Sequence, residues 1–182
     1  MKNRGWSKIT TLLAVAFMVC ACQPAHAASS ASVAVKVTIT PAISVTITES
    51  SLVLGSVSAG GTVVSPSGVT VTNNGSGIKE TYSLSLVNPS GWTASQSAAG
   101  SETYVLNAAF SNAVSGITWA EANHALSTTP VVSSTTKFAG DQTGVSVPYN
   151  TTRKLWFEFN APTATAATAE QSITVIVTAQ AG

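Results

Sequence analysis

Apolar residues recur at every second position along most of the chain. Val33, Val35, Val37, Ile39, Ile43, Val45 and Ile47 share one parity, with Pro41 set into the series. Val69 and Val71 alternate before Asn73-Asn74-Gly75, and Tyr82, Leu84 and Leu86 alternate before Asn88-Pro89-Ser90-Gly91. Tyr104, Leu106, Ala108 and Phe110 form the next stripe, Leu155, Phe157 and Phe159 another, and Ile173, Val175, Val177 and Ala179 the last. Strand side chains alternate between two faces, so each stripe predicts a strand buried on one side. Gly, Pro, Asn and Ser gather between the stripes, where turns need backbone freedom or a fixed dihedral. The best helical candidate is Ala120–Leu126, good for one or two turns. The pattern predicts an all-β chain, a single antiparallel sandwich of about seven to nine strands. Residues 111–142 fit it least and are expected to be a long connection or an insertion.

The N-terminal stripe is too long for one strand. Ser32 to Thr48 is 17 residues, roughly 56 Å at about 3.3 Å per residue. One solution breaks the strand at Pro41 and passes it from one sheet to the other. The other sends residues 32–40 out of their own domain, so that Val33, Val35, Val37 and Ile39 act as a donor strand completing a sheet in a neighbouring subunit. An open sheet edge offers unpaired backbone groups to such an extended segment.

The front of the chain has a different grammar. Residues 1–8 carry Lys2, Arg4 and Lys8, residues 9–21 are uncharged and mostly apolar, and Ala25-His26-Ala27 places small residues before a cut. This order predicts a Sec-type signal peptide over residues 1–27, cleaved after Ala27, with the sandwich domain over 28–182. The apolar run is shorter than a normal membrane span, so no transmembrane span is expected in the mature chain. Val19-Cys20-Ala21-Cys22 resembles a bacterial lipoprotein box, which makes lipid anchoring at Cys22 the alternative. Cleavage after Ala27 is the better match, and it removes both cysteines and with them disulfides and thiolate metal sites. The expected location is secreted, periplasmic or at the cell surface.

Charged residues make up 8% of the chain and hydrophobic ones 45%. Removing the three charges of the leader leaves five basic against seven acidic residues, a near-neutral domain. Nucleic-acid binding needs clustered Lys and Arg, and the only adjacent basic pair is Arg153-Lys154. A near-neutral surface of Ser, Thr and Ala suits a chain that tolerates association with itself or with other surface proteins.

Leu52–Gly61 (LVLGSVSAGG), followed by Val69–Gly75 (VTVTNNG), resembles the opening of bacterial immunoglobulin-like modules. Thr81–Thr93 (TYSLSLVNPSGWT) is similar to their second strand pair, and Leu155–Ala179 to their closing hairpin. The resemblance covers about two thirds of residues 28–182. It implies an immunoglobulin-like β-sandwich and an extracellular setting, and carries over no functional residue, because the matched positions are structural.

Residues 28–182 contain one histidine, His124, and one aspartate, Asp141. There is no Gly-x-Ser-x-Gly elbow and no phosphate-cradling glycine loop. Glu49, Glu80, Glu102, Glu121, Asp141, Glu158 and Glu170 are scattered singly, whereas glycoside hydrolysis needs two facing carboxylates and calcium needs several oxygen ligands. No catalytic residue, cofactor or metal site is expected. The remaining candidates are aromatic. Trp156 has the opposite parity from Leu155, Phe157 and Phe159, so it points outward if they point inward, and Trp92 and Trp119 lie in or near turns. Flat aromatic faces can stack on sugars, which makes these three the candidates for a polysaccharide site. Against this, Trp92 can cap the core and Trp156 can be covered by 111–142 or a neighbouring subunit. The expectation is a non-catalytic, exported structural or surface protein, self-assembling through its N-terminal strand, with a carbohydrate-binding module as the alternative.

Overall fold

A computed structural model describes residues 30–182. The expectations for the leader and Cys22 lie outside the described residues. The chain divides into two units at Thr38–Ile39. In the first unit, residues 30–38 form no strand and are exposed throughout. The second is an all-β body of two sheets sharing one core. Among the described residues, no helix is long and apolar enough to cross a membrane.

The first sheet contains β1 (Val45–Ile47), β2 (Thr62–Val64), β3 (Val69–Asn73), β5 (Thr93–Ala94), β6 (Thr103–Phe110) and β8 (Thr152–Asn160). Its order is β1-β3-β8-β6-β5, with β2 also on β8. β2 and β3 lie along the same edge of β8, against 158–160 and 152–155 respectively. Pro66 falls between them, where a residue without an N–H interrupts a ladder. The second sheet is β7 (Val131–Val132), β4 (Glu80–Val87) and β9 (Thr174–Ala181), in that order.

The alternating stripes become the inward faces of these strands. Tyr82, Leu84 and Leu86 of β4 face Tyr104, Leu106, Ala108 and Phe110 of β6, with Leu155, Phe157 and Phe159 of β8 completing the packing. Tyr82 and Phe110 meet at 5.9 Å between ring centroids. The ladders are antiparallel except β5–β6, a two-residue parallel pair. The expectation of a wholly antiparallel sandwich is corrected there: the Thr93 amide donates to the Glu102 carbonyl and the Ser95 amide to the Tyr104 carbonyl, too brief a pairing to need a long crossover.

Residues 111–142 form the connection from β6 towards β8. They carry a 3-10 turn (Val114–Gly116), a single helical turn α1 (Glu121–His124) and the edge strand β7. The segment is not merely surface, because Ala125, Leu126 and Phe138 are fully buried. The helix packs on β6, and the Leu126 amide donates to the Leu106 carbonyl at 2.9 Å.

The N-terminal stripe behaves as two different things. Only Val45–Ile47 forms a strand, paired with β3. Its start is pinned by Glu80, a fully buried carboxylate whose Oε1 accepts the Ser44 amide at 2.7 Å. Among the described residues upstream of that pin no ladder forms, because an alternating sequence makes a strand only where a partner strand accepts its backbone bonds.

The Tyr82 hydroxyl is buried without a hydrogen-bond partner. Removing an unpaired buried hydroxyl lifts its desolvation cost, so Tyr82→Phe is expected to leave stability unchanged or raise it by about 1 kcal/mol. A urea midpoint that falls instead would show that the hydroxyl has a partner.

Candidate functional site

The candidate donor residues are, with Val53, the most exposed large apolar side chains among the described residues. Val33, Val35, Val37 and Ile39 are 81–86% exposed, while the inward residues of β4 are at most 2% exposed. Ala34, Lys36, Thr38 and Thr40 occupy the opposite parity. Four exposed aliphatic side chains on one parity of a single segment are unusual on a protein surface, and exposed apolar patches mark interaction sites. Downstream, Ala42 and Ser76 tie the chain to the β3–β4 turn: the Ala42 amide donates to Ser76 Oγ at 2.6 Å and the Ser76 amide to the Ala42 carbonyl at 2.8 Å.

The three candidate tryptophans are half-buried and widely separated in role. Trp92 closes one end of the core, its ring 5.9 Å from Phe159 and 6.2 Å from Tyr104. Its Nε1–H donates to Thr165 Oγ1 at 2.8 Å. Trp156, on the outer face of β8, donates its Nε1–H to the Ser111 carbonyl at 3.0 Å. A Cβ at Gly68 would lie 2.8 Å from that nitrogen, so the chain just before β3 presents a bare glycine where the indole lies. Trp119 stands edge-on to His124 at 5.6 Å. The structure does not gather the three rings into one surface.

His124 is buried, and both ring nitrogens meet the backbone. Nδ1 accepts the Ala120 amide at 3.0 Å, and Nε2 lies 3.1 Å from the Ala139 carbonyl. With Nδ1 accepting, Nε2 is the nitrogen placed to donate to Ala139, and the pair of contacts ties α1 to the return segment. Glu121 and Glu158 are near enough for their charges to interact. Burial pushes Glu158 above its ordinary 4.5, partly offset by Asn107, whose Nδ2 donates to Oε1 at 2.9 Å. Among the described residues, no group of three or more His, Cys, Asp or Glu is arranged to hold a metal ion.

Asp141 is a clasp. Its Oδ1 accepts the Asn112 amide at 2.7 Å and Ser111 Oγ at 2.8 Å, and its Oδ2 accepts Asn112 Nδ2 at 3.2 Å. Glu49 does the same for β3, accepting the Thr70 amide at 2.6 Å and Thr70 Oγ1 at 3.1 Å. Sequence reasoning missed these pins, since a lone acid followed by an ordinary residue carries no spacing signal. No protein-family model, curated protein or solved structure matches the chain.

Trp92→Ala is expected to cost about 2–3 kcal/mol, somewhat below a fully buried aromatic truncation, read as a lower urea midpoint. Unchanged stability would free Trp92 for ligand work. The acid limb follows from the clasps. Backbone amides hold Asp141 below 3.8 and Glu49 below 4.5. Groups with lowered folded-state values contribute stability above their unfolded values and lose it as pH falls through the folded ones. Glu158 has the opposite sign, since protonation relieves the burial of its charge. Melting temperature is therefore expected to fall below about pH 4, with Glu49→Gln and Asp141→Asn each flattening that fall. An acid limb unchanged in both variants would remove the clasps as its cause.

Proposed function

We propose that this chain is an exported, non-catalytic structural or cell-surface protein of immunoglobulin-like type, and that it self-assembles by giving its N-terminal segment to a neighbouring copy. The observation that carries the reading is the exposed stripe Val33, Val35, Val37 and Ile39, which lies on a segment without any ladder of its own. Taking a Val or Ile side chain fully out of water is worth about 1.5–3 kcal/mol, so four at alternate positions supply a strong drive for pairing once a sheet edge meets them. The order of charged, apolar and small residues over 1–27 supports export.

Two further features support the reading. The domain has few Lys side chains and a near-neutral balance, so little charge opposes close approach of copies. His124, the one histidine of the domain, spends both nitrogens on backbone groups, which leaves neither free as a general base. The polysaccharide reading has less beneath it, because Trp92 and Trp156 commit their indole N–H groups internally.

Deleting residues 28–40 is expected to leave a folded monomer, since none of residues 30–40 belongs to the core. Light scattering across concentrations and electron microscopy of the purified protein read the difference: polymers from the full-length domain, monomers from the deletion. Assembly that persists after deletion would overturn the reading.

A further inference from the structure

The β4–β9 ladder fixes which way each backbone group of β9 points. Its register runs from Glu80↔Ala181 to Val87↔Thr174, and the Gly182 amide donates to the Lys79 carbonyl at 2.9 Å. Bonded and non-bonded pairs alternate along an antiparallel ladder, so Thr174, Ile176, Thr178 and Gln180 bond to β4. The far side of β4 agrees, because Glu80, Tyr82 and Leu86 send their amides the other way, to Val147, Gly144 and Ser127. Val175, Val177, Ala179 and Ala181 therefore turn their N–H and C=O groups to the outer edge of β9. No described residue bonds them there.

Val175, Val177 and Ala179 point their side chains at the core, yet the core does not close over them. Val175, Val177 and Ala179 remain half-buried, whereas Leu84, Leu86 and Leu155 on the central strands are at most 2% exposed. The neighbouring edge of the other sheet is β1, and its Val45 is likewise only partly buried. An unpaired edge and an incompletely covered stretch of core thus coincide. This edge is also uncharged, since β9 has the sequence TVIVTAQA, and it lacks the Lys, Pro or bulge that usually guards an exposed edge.

Residues 32–40 have what this edge lacks. They span nine residues against the eight of β9 and carry apolar side chains at four alternate positions. Their single charge, Lys36, lies on the opposite parity. We propose that residues 32–40 of one copy pair with the outer edge of β9 in a second copy, with Val33, Val35, Val37 and Ile39 laid over the core beside Val175, Val177 and Ala179. The proposal rests on the self-assembly reading and names the surface that receives the donor.

A second copy is a better donor than the chain's own segment. Ala42 and Ser44 are tied to Ser76 and Glu80, so the chain reaches β1 along the first sheet. Facing sheets are about 10 Å apart, and crossing that gap takes about three extended residues. An own-chain fit would spend residues 39–41 on the crossing and take Ile39 out of the stripe. A segment arriving from another molecule keeps all four side chains.

The test uses chains with Cys20 and Cys22 changed to Ser, which leaves no other cysteine. Chains bearing Ile176→Cys, on the exposed face of β9, are mixed with chains bearing Ala34→Cys, Lys36→Cys or Thr38→Cys and oxidised mildly. One of the three donor positions is expected to give a disulfide-linked pair far in excess of that formed with Val114→Cys, an exposed position elsewhere. In parallel, the amides of Val175, Val177, Ala179 and Ala181 are expected to exchange at least about tenfold more slowly in the assembled wild-type protein than in the chain lacking residues 28–40. Assembly without a selective disulfide or added protection at β9 overturns the proposed acceptor. If the deletion nonetheless abolishes assembly, the donor segment stands and only β9 falls. Assembly undiminished by the deletion removes both. A disulfide confined within monomers carrying both Lys36→Cys and Ile176→Cys assigns the edge to the chain's own segment.

Discussion

Burial between β4 and the β6–β8 pair is the interaction on which the sandwich depends. Tyr82, Leu84 and Leu86 on one sheet and Tyr104, Leu106, Phe110 and Leu155 on the other are almost completely removed from water. The described residues include no cysteine to staple them, so the two layers hold by apolar contact and by their ladders. The aromatic group of Trp92, Tyr104 and Phe159 finishes one end of this interior, and the Tyr104 hydroxyl reaches out of it to Asn88 Oδ1 at 2.9 Å. Burial pushes both core tyrosines well above their ordinary 10.0.

Few charged side chains remain to organise the loops, and those present are used singly. Glu80 fixes the start of β1, Glu49 fixes the run after it to β3, and Asp141 fixes the exit of β6 to the segment returning towards β8. Asn73 does the same work without charge. Its Nδ2 donates to the carbonyls of Ile78 and Val147 at 2.9 Å each, and its Oδ1 accepts the Gly75 amide. Each pin is one polar side chain satisfying backbone groups that a turn leaves unpaired.

Strands whose two faces differ were legible in the sequence. The stripes at 82–86, 104–110, 155–159 and, from Val175 on, the last one became strands with those residues inward, because period-two alternation is what one-sided burial demands. The outer face of β6 was not legible. Val105, Asn107 and Ala109 are buried as fully as their neighbours, since the segment carrying α1 lies against that strand, and residues covered by a loop follow no period. The N-terminal stripe shows the converse: alternation from 33 to 47 reads as continuous, but only Val45–Ile47 found a partner strand. At the candidate site, the apolar residues of the donor segment were visible as a pattern. The edge of β9 was not, because which backbone groups point outward depends on register and not on residue type.

The pairing of β4 with β9 also sets an order of events during synthesis. The two strands are joined residue for residue, yet they lie nearly a hundred positions apart. Half-built chains therefore carry a β4 whose longest ladder has nowhere to form. Contacts of such long sequence separation are closed late and slowly. The second sheet is completed only after every strand of the first has been made, so the two layers mature together and not piecemeal.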